Sequence, residues 1–277
     1  MHTNVHDRPA AVAEVRLPAP LGREERRARL MAAIVFVAAA AITIRGSFQM
    51  SGGMPMPGGW TMPMMWMVMP GQSVTGSAWM FLLMWEAMMI AMMLPSSWPM
   101  LELYYRTAVS TGQPKPWVNV TLAGCGYFAV WLAFGAGGFG AGFWISSAAM
   151  QSERVSRVIP AAAGAALIFA GVYQLSPLKQ ACLQHCRSPL LFLGHVWRPG
   201  WPGAVRIGII HGAFCAACCW ALMVMQMILG VMNLAVMAAI AAVIGVEKLW
   251  RRGPLLARVV GVVSIAAGIL IAAKTFL

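Results

Sequence analysis

Residues 204–229 read AVRIGIIHGAFCAACCWALMVMQMIL, twenty-six positions whose only fixed charge is Arg206. Such a run is longer than the roughly twenty residues that a helix needs to cross about 30 Å of hydrocarbon. Six further apolar stretches, at 30–47, 78–95, 117–145, 158–176, 231–247 and 256–276, repeat the pattern along the chain. The first and sixth are short, and the third is rich in Gly, so that it reads either as a tilted helix or as one broken around Gly135 to Gly142. Composition agrees: 60% of the 277 residues are hydrophobic and 10% charged. A soluble domain carries about a quarter charged residues. The expected fold is therefore all-α, a polytopic transmembrane helical bundle of about seven spans.

Charge orients that bundle. With a cytoplasmic N-terminus, the inner segments hold Arg8, Arg16, Arg23, Arg26, Arg27, Arg29, Arg106, Lys115, Lys179, Arg187, Arg198, Arg206, Lys248, Arg251, Arg252 and Arg258. Arg45, Arg154, Arg157 and Lys274 remain outside, and sixteen against four is a strong positive-inside bias. Anionic lipid of the inner leaflet accounts for the net charge of +12, so the charge does not call for nucleic acid as a partner. Residues 1–29 form a polar basic arm whose length and charge argue against a cleavable signal peptide. His2 and His6 in that arm read as incidental. The remainder, 30–277, is the transmembrane domain, with an external loop at 48–77. The expected location is the inner (cytoplasmic) membrane of a bacterium.

That loop is the most unusual segment in composition. Eight of the twenty residues from Met50 to Met69 are methionine, among them Met54, Met56, Met62, Met64 and Met65, interleaved with Gly and Pro. The Gly and Pro argue against a helix, and the lack of alternating β-branched residues argues against a strand, so an irregular segment is expected. Thioether sulfur is soft and selects Cu(I) over harder ions. The competing reading is a flexible, greasy loop at the membrane surface.

Within the second span, 100° per residue sets Met80, Met84, Met88 and Met92 along one drifting stripe, with Glu86 on the other side. Met84 and Met88 are candidate ligands, although packing explains methionine equally well. An intramembrane carboxylate such as Glu86 costs about 2.5–3.5 kcal/mol to insert and marks an ion or proton path or a structural ion pair.

The strongest chemical signal lies in the opening stretch. Relative to His211, helical spacing turns Cys215 by about 40°, Cys218 by about −20°, Cys219 by about 80° and Met225 by about −40°. Imidazole, three thiols and a thioether then share a face, a donor set for Cu(I) or Zn(II), with Cu(I) preferred beside so many methionines. Buried Cys can also be a small hydrophobe. A second candidate group, Cys182, His185 and Cys186, follows the fourth span, where a short helix would bring both thiols to one side at the inner surface. Cys125 stands alone in an apolar span and reads as packing.

Four stretches carry a resemblance: MWEAMMIAMMLPSSWPML at 84–101, GVYQLSPLKQACLQHCRSPL at 171–190, HGAFCAACCWALM at 211–223 and GVMNLAVMAAIAAVIGVEK at 230–248. Over about 78 to 250 the chain resembles a bacterial family of predicted metal-binding integral membrane proteins. That resemblance implies a multi-helix membrane protein with a bound metal, and no particular reaction. The expectation is a protein that handles Cu(I), caught by the methionine loop, passed near Met84, Met88 and Glu86, and held by His211 and the cysteines, with Cys182, His185 and Cys186 receiving it inside. The ligands run from weak thioether to strong thiolate, a gradient that points inward. No phosphate-cradling Gly-rich loop is present to couple nucleotide hydrolysis. The implied partners are the metal ion, the lipid bilayer, and a periplasmic copper chaperone or membrane copper enzyme. Two alternatives remain: an accessory subunit that loads copper into a partner oxidase or monooxygenase, and a membrane-bound metal-dependent oxidoreductase. A haem centre is disfavoured, since Cys-x-x-Cys-His is missing and His211 has no second histidine at matching depth.

Overall fold

The computed structural model describes residues 22–50, 52–67 and 71–276. Most of the N-terminal arm, with His2 and His6, and Met69 of the methionine loop lie outside the described residues. Among those described, the architecture is a helical bundle carrying one small β-hairpin. Helix α1 (Arg23–Gln49) leads into strands β1 (Gly53–Met56) and β2 (Trp60–Pro63) and a single 3-10 turn at Met64–Trp66. Then come α2 (Val74–Ser110), α3 (Pro116–Gln151), α4 (Glu153–Leu175), two short helices α5 (Pro177–Arg187) and α6 (Pro189–Val196), α7 (Gly200–Gly230), α8 (Leu234–Leu249) and α9 (Gly253–Phe276).

The starts of these helices are written locally. Ser73 and Ser176 accept hydrogen bonds from the backbone N–H of Gly76 and Lys179, and Asn233 accepts from Ala235 and Val236. Each side chain satisfies N–H groups that a helix leaves unpaired. Proline opens α3, α5 and α6, where its missing N–H costs nothing.

Six helices, α1, α2, α3, α4, α7 and α9, are long and apolar enough to cross a membrane, and the chain is a membrane protein. Two points left open by the sequence are settled. The expected span at 231–247 is α8, only sixteen residues, a rise of about 24 Å. Meanwhile α3 runs unbroken through Gly135 to Gly142. A helical glycine without a neighbouring breaker costs about 1 kcal/mol, which tertiary packing readily offsets.

Two helix pairs bring backbones into direct contact. In the α4/α9 pair a Cβ added at Gly164, Gly171, Gly261 or Gly268 would come within 2.5–2.9 Å of a carbonyl oxygen on the facing helix. The α3/α7 pair is similar: Gly126 faces the Val205 carbonyl and Gly212 the Tyr127 carbonyl. Membrane helices, lacking a hydrophobic drive to associate, rely on such small residues for close packing.

The methionine loop is a correction, because it is not irregular. Its strands pair antiparallel with Met54 opposite Met62 and Met56 opposite Trp60, closed by Gly58 and Gly59 at φ +98° and +75°. A two-stranded ribbon uses only half of each strand's N–H groups, so Pro55 and Pro63 are tolerated where a central strand would reject them. Its turn docks on the start of α4: Trp60 Nε1 donates to the Ser156 carbonyl at 3.0 Å, and Ser156 Oγ donates to the Pro57 carbonyl at 2.7 Å. Trp66 packs on Phe81 of α2 and against Gly142 of α3. The hairpin thus lies across one end of the bundle.

Candidate metal centre

Helix α7 sets the frame. Cys215, Cys218 and Cys219 fall on its inward face, and their sulfurs all lie within 4.8 Å of one another, fully buried. Cys218 Sγ is 3.3 Å from Cys219 Sγ. A fourth sulfur arrives from α5, where Cys186 Sγ stands 3.8 Å from Cys218 Sγ. Ligand atoms held at about 2.3 Å around one ion are about 3.8 Å apart in a tetrahedral thiolate site, so this spacing suits a shared metal. The spacing is also too long for any bonded pair, and all six cysteines are free.

One buried cation faces the sulfurs. Helix α8 turns back from the end of α7 and, being only sixteen residues long, stops at the depth of Cys215. Its Lys248 Nζ donates to Cys215 Sγ at 2.9 Å and to Ser96 Oγ of α2 at 3.2 Å. An unpaired ammonium is costly at this depth, and the Cys215 sulfur and the Ser96 hydroxyl are its partners. Thiolate, not thiol, is the metal ligand, and an ammonium is the counter-charge that a buried thiolate needs. Tyr127 Oη lies 2.9 Å from the same Cys215 sulfur.

The neighbouring residue secures α8. Glu247 Oε2 accepts from Lys179 Nζ at 2.7 Å, with both side chains buried, and Glu247 Oε1 accepts from Gln174 Nε2 at 3.2 Å. Arg187, next to Cys186, donates to the Glu247 carbonyl at 2.6 Å. The α5 cysteine is therefore registered against α7 through the end of α8.

The other candidates part company. His211 sits one turn before Cys215, buried and stacked on Tyr127 at 5.4 Å, and it stands outside the three-cysteine group. Its Nδ1 is buried without a hydrogen-bond partner among the described residues. The expected separate group at the inner surface does not form. Cys186 joins the α7 cysteines, Cys182 packs into the same apolar cluster, and His185 is exposed, stacked on Phe214 with its Nδ1 on the Ala181 carbonyl. A helical repeat turns His185 about 100° from Cys186, away from the sulfurs. Met225 likewise faces α9, where its sulfur accepts from Ser264 Oγ at 3.2 Å. Cys125 is exposed rather than packed inside.

Met84 and Met88 are buried along α2, and Met88 Sδ accepts from Gln226 Nε2 of α7 at 3.2 Å. Glu86 has one buried oxygen, Oε2, without a hydrogen-bond partner among the described residues. In the hairpin, Met62 is wholly buried, Met56 half-buried and Met54 exposed, whereas Met64 and Met65 turn toward the bundle. Sequence reasoning missed Lys248, Lys179, Glu247 and Tyr127. Lys179 and Lys248 entered only as loop charges, and the adjacent Glu-Lys pair closing an apolar run was the available signal.

No curated relative and no solved structure matches the chain. A family model described as PpoB2, copper chaperone, matches residues 82–271, which takes in α5, α7 and α8 and so every sulfur and the ammonium of the centre. The chain belongs to the PpoB2 copper chaperone family.

Proposed function

We propose that the protein is a Cu(I) chaperone of the bacterial inner membrane, which binds the ion through two thiolates of the cluster Cys186, Cys215, Cys218 and Cys219 and delivers it to a copper enzyme. The observation that carries this reading is the buried meeting of four sulfurs with the Lys248 ammonium. Cu(I) held by two thiolates bears one net negative charge, which one ammonium balances in a medium where an unpaired charge is costly. Zn(II) held by four thiolates would bear two. Soft sulfur favours Cu(I) as well. His211, with its free Nδ1, stands close enough in sequence to take part in transfer, and the Lys/Arg asymmetry supports a cytoplasmic N-terminus with the hairpin outside.

The test is an anaerobic Cu(I) titration of the full chain against a competing chromogenic chelator. The parent should show a tight class of sites that the C215S/C218S/C219S variant lacks. A triple variant that titrates like the parent would mean that the cysteines only pack. In the host, the same variant should lower the activity of the recipient copper enzyme at unchanged enzyme abundance.

A further inference from the structure

At the hairpin end of the bundle, about 22 Å up α7 from the cysteines at 1.5 Å per residue, lies a cavity of about 270 Å³. Seven of its eleven lining residues are methionine, and the others are Gln49, Gln72, Ser77 and Phe81. The sulfurs come from four separate segments: Met50 after α1, Met64, Met65 and Met67 of the hairpin connection, Met80 and Met84 of α2, and Met232 before α8. Among the described residues, no aspartate, glutamate, histidine or basic residue lines it. Apolar packing alone would fill such a space with side chains. Among the described residues the space is open, wide enough for an ion with several ligands, and ringed by uncharged soft donors.

We infer that this cavity is a second Cu(I) site, a thioether entry site that feeds the cysteine centre. The inference rests on the Cu(I) reading of that centre. Thioethers are soft and carry no charge, so they hold Cu(I) weakly and release it without a proton exchange. A line of buried methionines on α2 leads from its wall toward the cysteines. From Met84 in its wall, Met88 and Met92 follow at four-residue steps, each step about 6 Å along α2, and Ser96 at the next step bonds the Lys248 that holds Cys215. Met88 and Met92 belong to one contiguous buried cluster with Cys215, Cys218 and Cys219. The metal thus passes from thioether to thiolate through a sulfur-lined interior. The exposed Met54, 43% accessible on the hairpin, lies outside the site.

The test uses full-length protein, Cu(I) as the probe, and three chains: the parent, M64L/M65L/M67L/M84L, and C186S/C215S/C218S/C219S. The parent should show a tight and a weak class of sites. The methionine variant should keep the tight class and lose the weak one by at least tenfold in affinity. If that variant does not fold, the cysteine variant decides: it should still bind Cu(I) in the weak class, with affinity unchanged between pH 7 and pH 5 because thioethers do not protonate. Cu(I) binding that is absent from the cysteine variant, or that weakens on acidification, overturns the entry site. A weak class retained by the folded methionine variant does so too. Failure of the chaperone reading is distinct, since it appears as a tight class that persists when the cysteines are replaced.

Discussion

Replacing Lys248 by Met removes one positive charge and leaves most of the side-chain volume. In the parent its ammonium lies 2.9 Å from Cys215 Sγ, with the lysine only 6% exposed. At an effective dielectric of about 20, that separation corresponds to about 6 kcal/mol of attraction between ammonium and thiolate. Removing one partner of a buried pair costs about 3–5 kcal/mol in practice, because the remaining charge relaxes or neutralises. The metal-free variant can avoid the cost by keeping Cys215 as a thiol, so its folding should change little. The copper-bound form cannot, since the metal requires thiolate. At about 1.4 kcal/mol per decade, Cu(I) affinity should fall about 10²- to 10⁴-fold. Lys248→Arg, which keeps the charge in a larger and differently shaped head, should lose less than Lys248→Met. The assay is the same chelator competition, with unfolding temperature of the metal-free protein as the control. Equal affinities for the parent and Lys248→Met would refute the counter-charge argument and with it the charge balance that favours two thiolates.

Three other perturbations test the scaffold. Lys179→Met strands Glu247 without its ammonium, so the stability of the detergent-solubilised protein should drop by about 3–5 kcal/mol, while Lys179→Met combined with Glu247→Gln should recover part of the loss; thermal unfolding measures both. Gly171→Leu, which sets a side chain against the Gly261 carbonyl, should abolish accumulation of folded protein, whereas Gly137→Ala, with nothing within 4 Å of its added Cβ, should express normally. A reporter active only outside the cytoplasm should work when fused after Gly59 or Ser152 and fail after Gln113 or Pro199; the opposite pattern would invert the orientation and the direction of the sulfur gradient.

The long spans were legible because a membrane imposes one rule, about twenty apolar residues per crossing, that six of the seven expected stretches obey. Helix α8 occupies the expected short span at 231–247, but its end differs from what hydropathy implies. Its apolar run ends in Glu247 and Lys248, residues that hydropathy assigns to water, yet here both are buried because Lys179 and the cysteine sulfurs partner them. The hairpin was hidden because Met, Gly and Pro carry little strand preference; its pairing is set by the Gly58-Gly59 turn and by docking on Ser156. For the site, the α7 cysteines could be placed on one face from spacing alone. The meeting of Cys186 with Cys218 could not, since it joins helices 32 residues apart through the short α5.

Helix α8 also bears on how the protein is made. At about 24 Å it crosses from the hairpin end to the inner end with less length than the hydrocarbon core, and both its buried charges need partners that earlier segments supply. It can settle only after α2, α4, α5 and α7 have assembled around the place where it ends. The cation that completes the sulfur cluster is therefore among the last groups to arrive during biogenesis. A nascent chain carries its cysteines through insertion without the charge that would make them a strong trap, and acquires that capacity only once the bundle has closed.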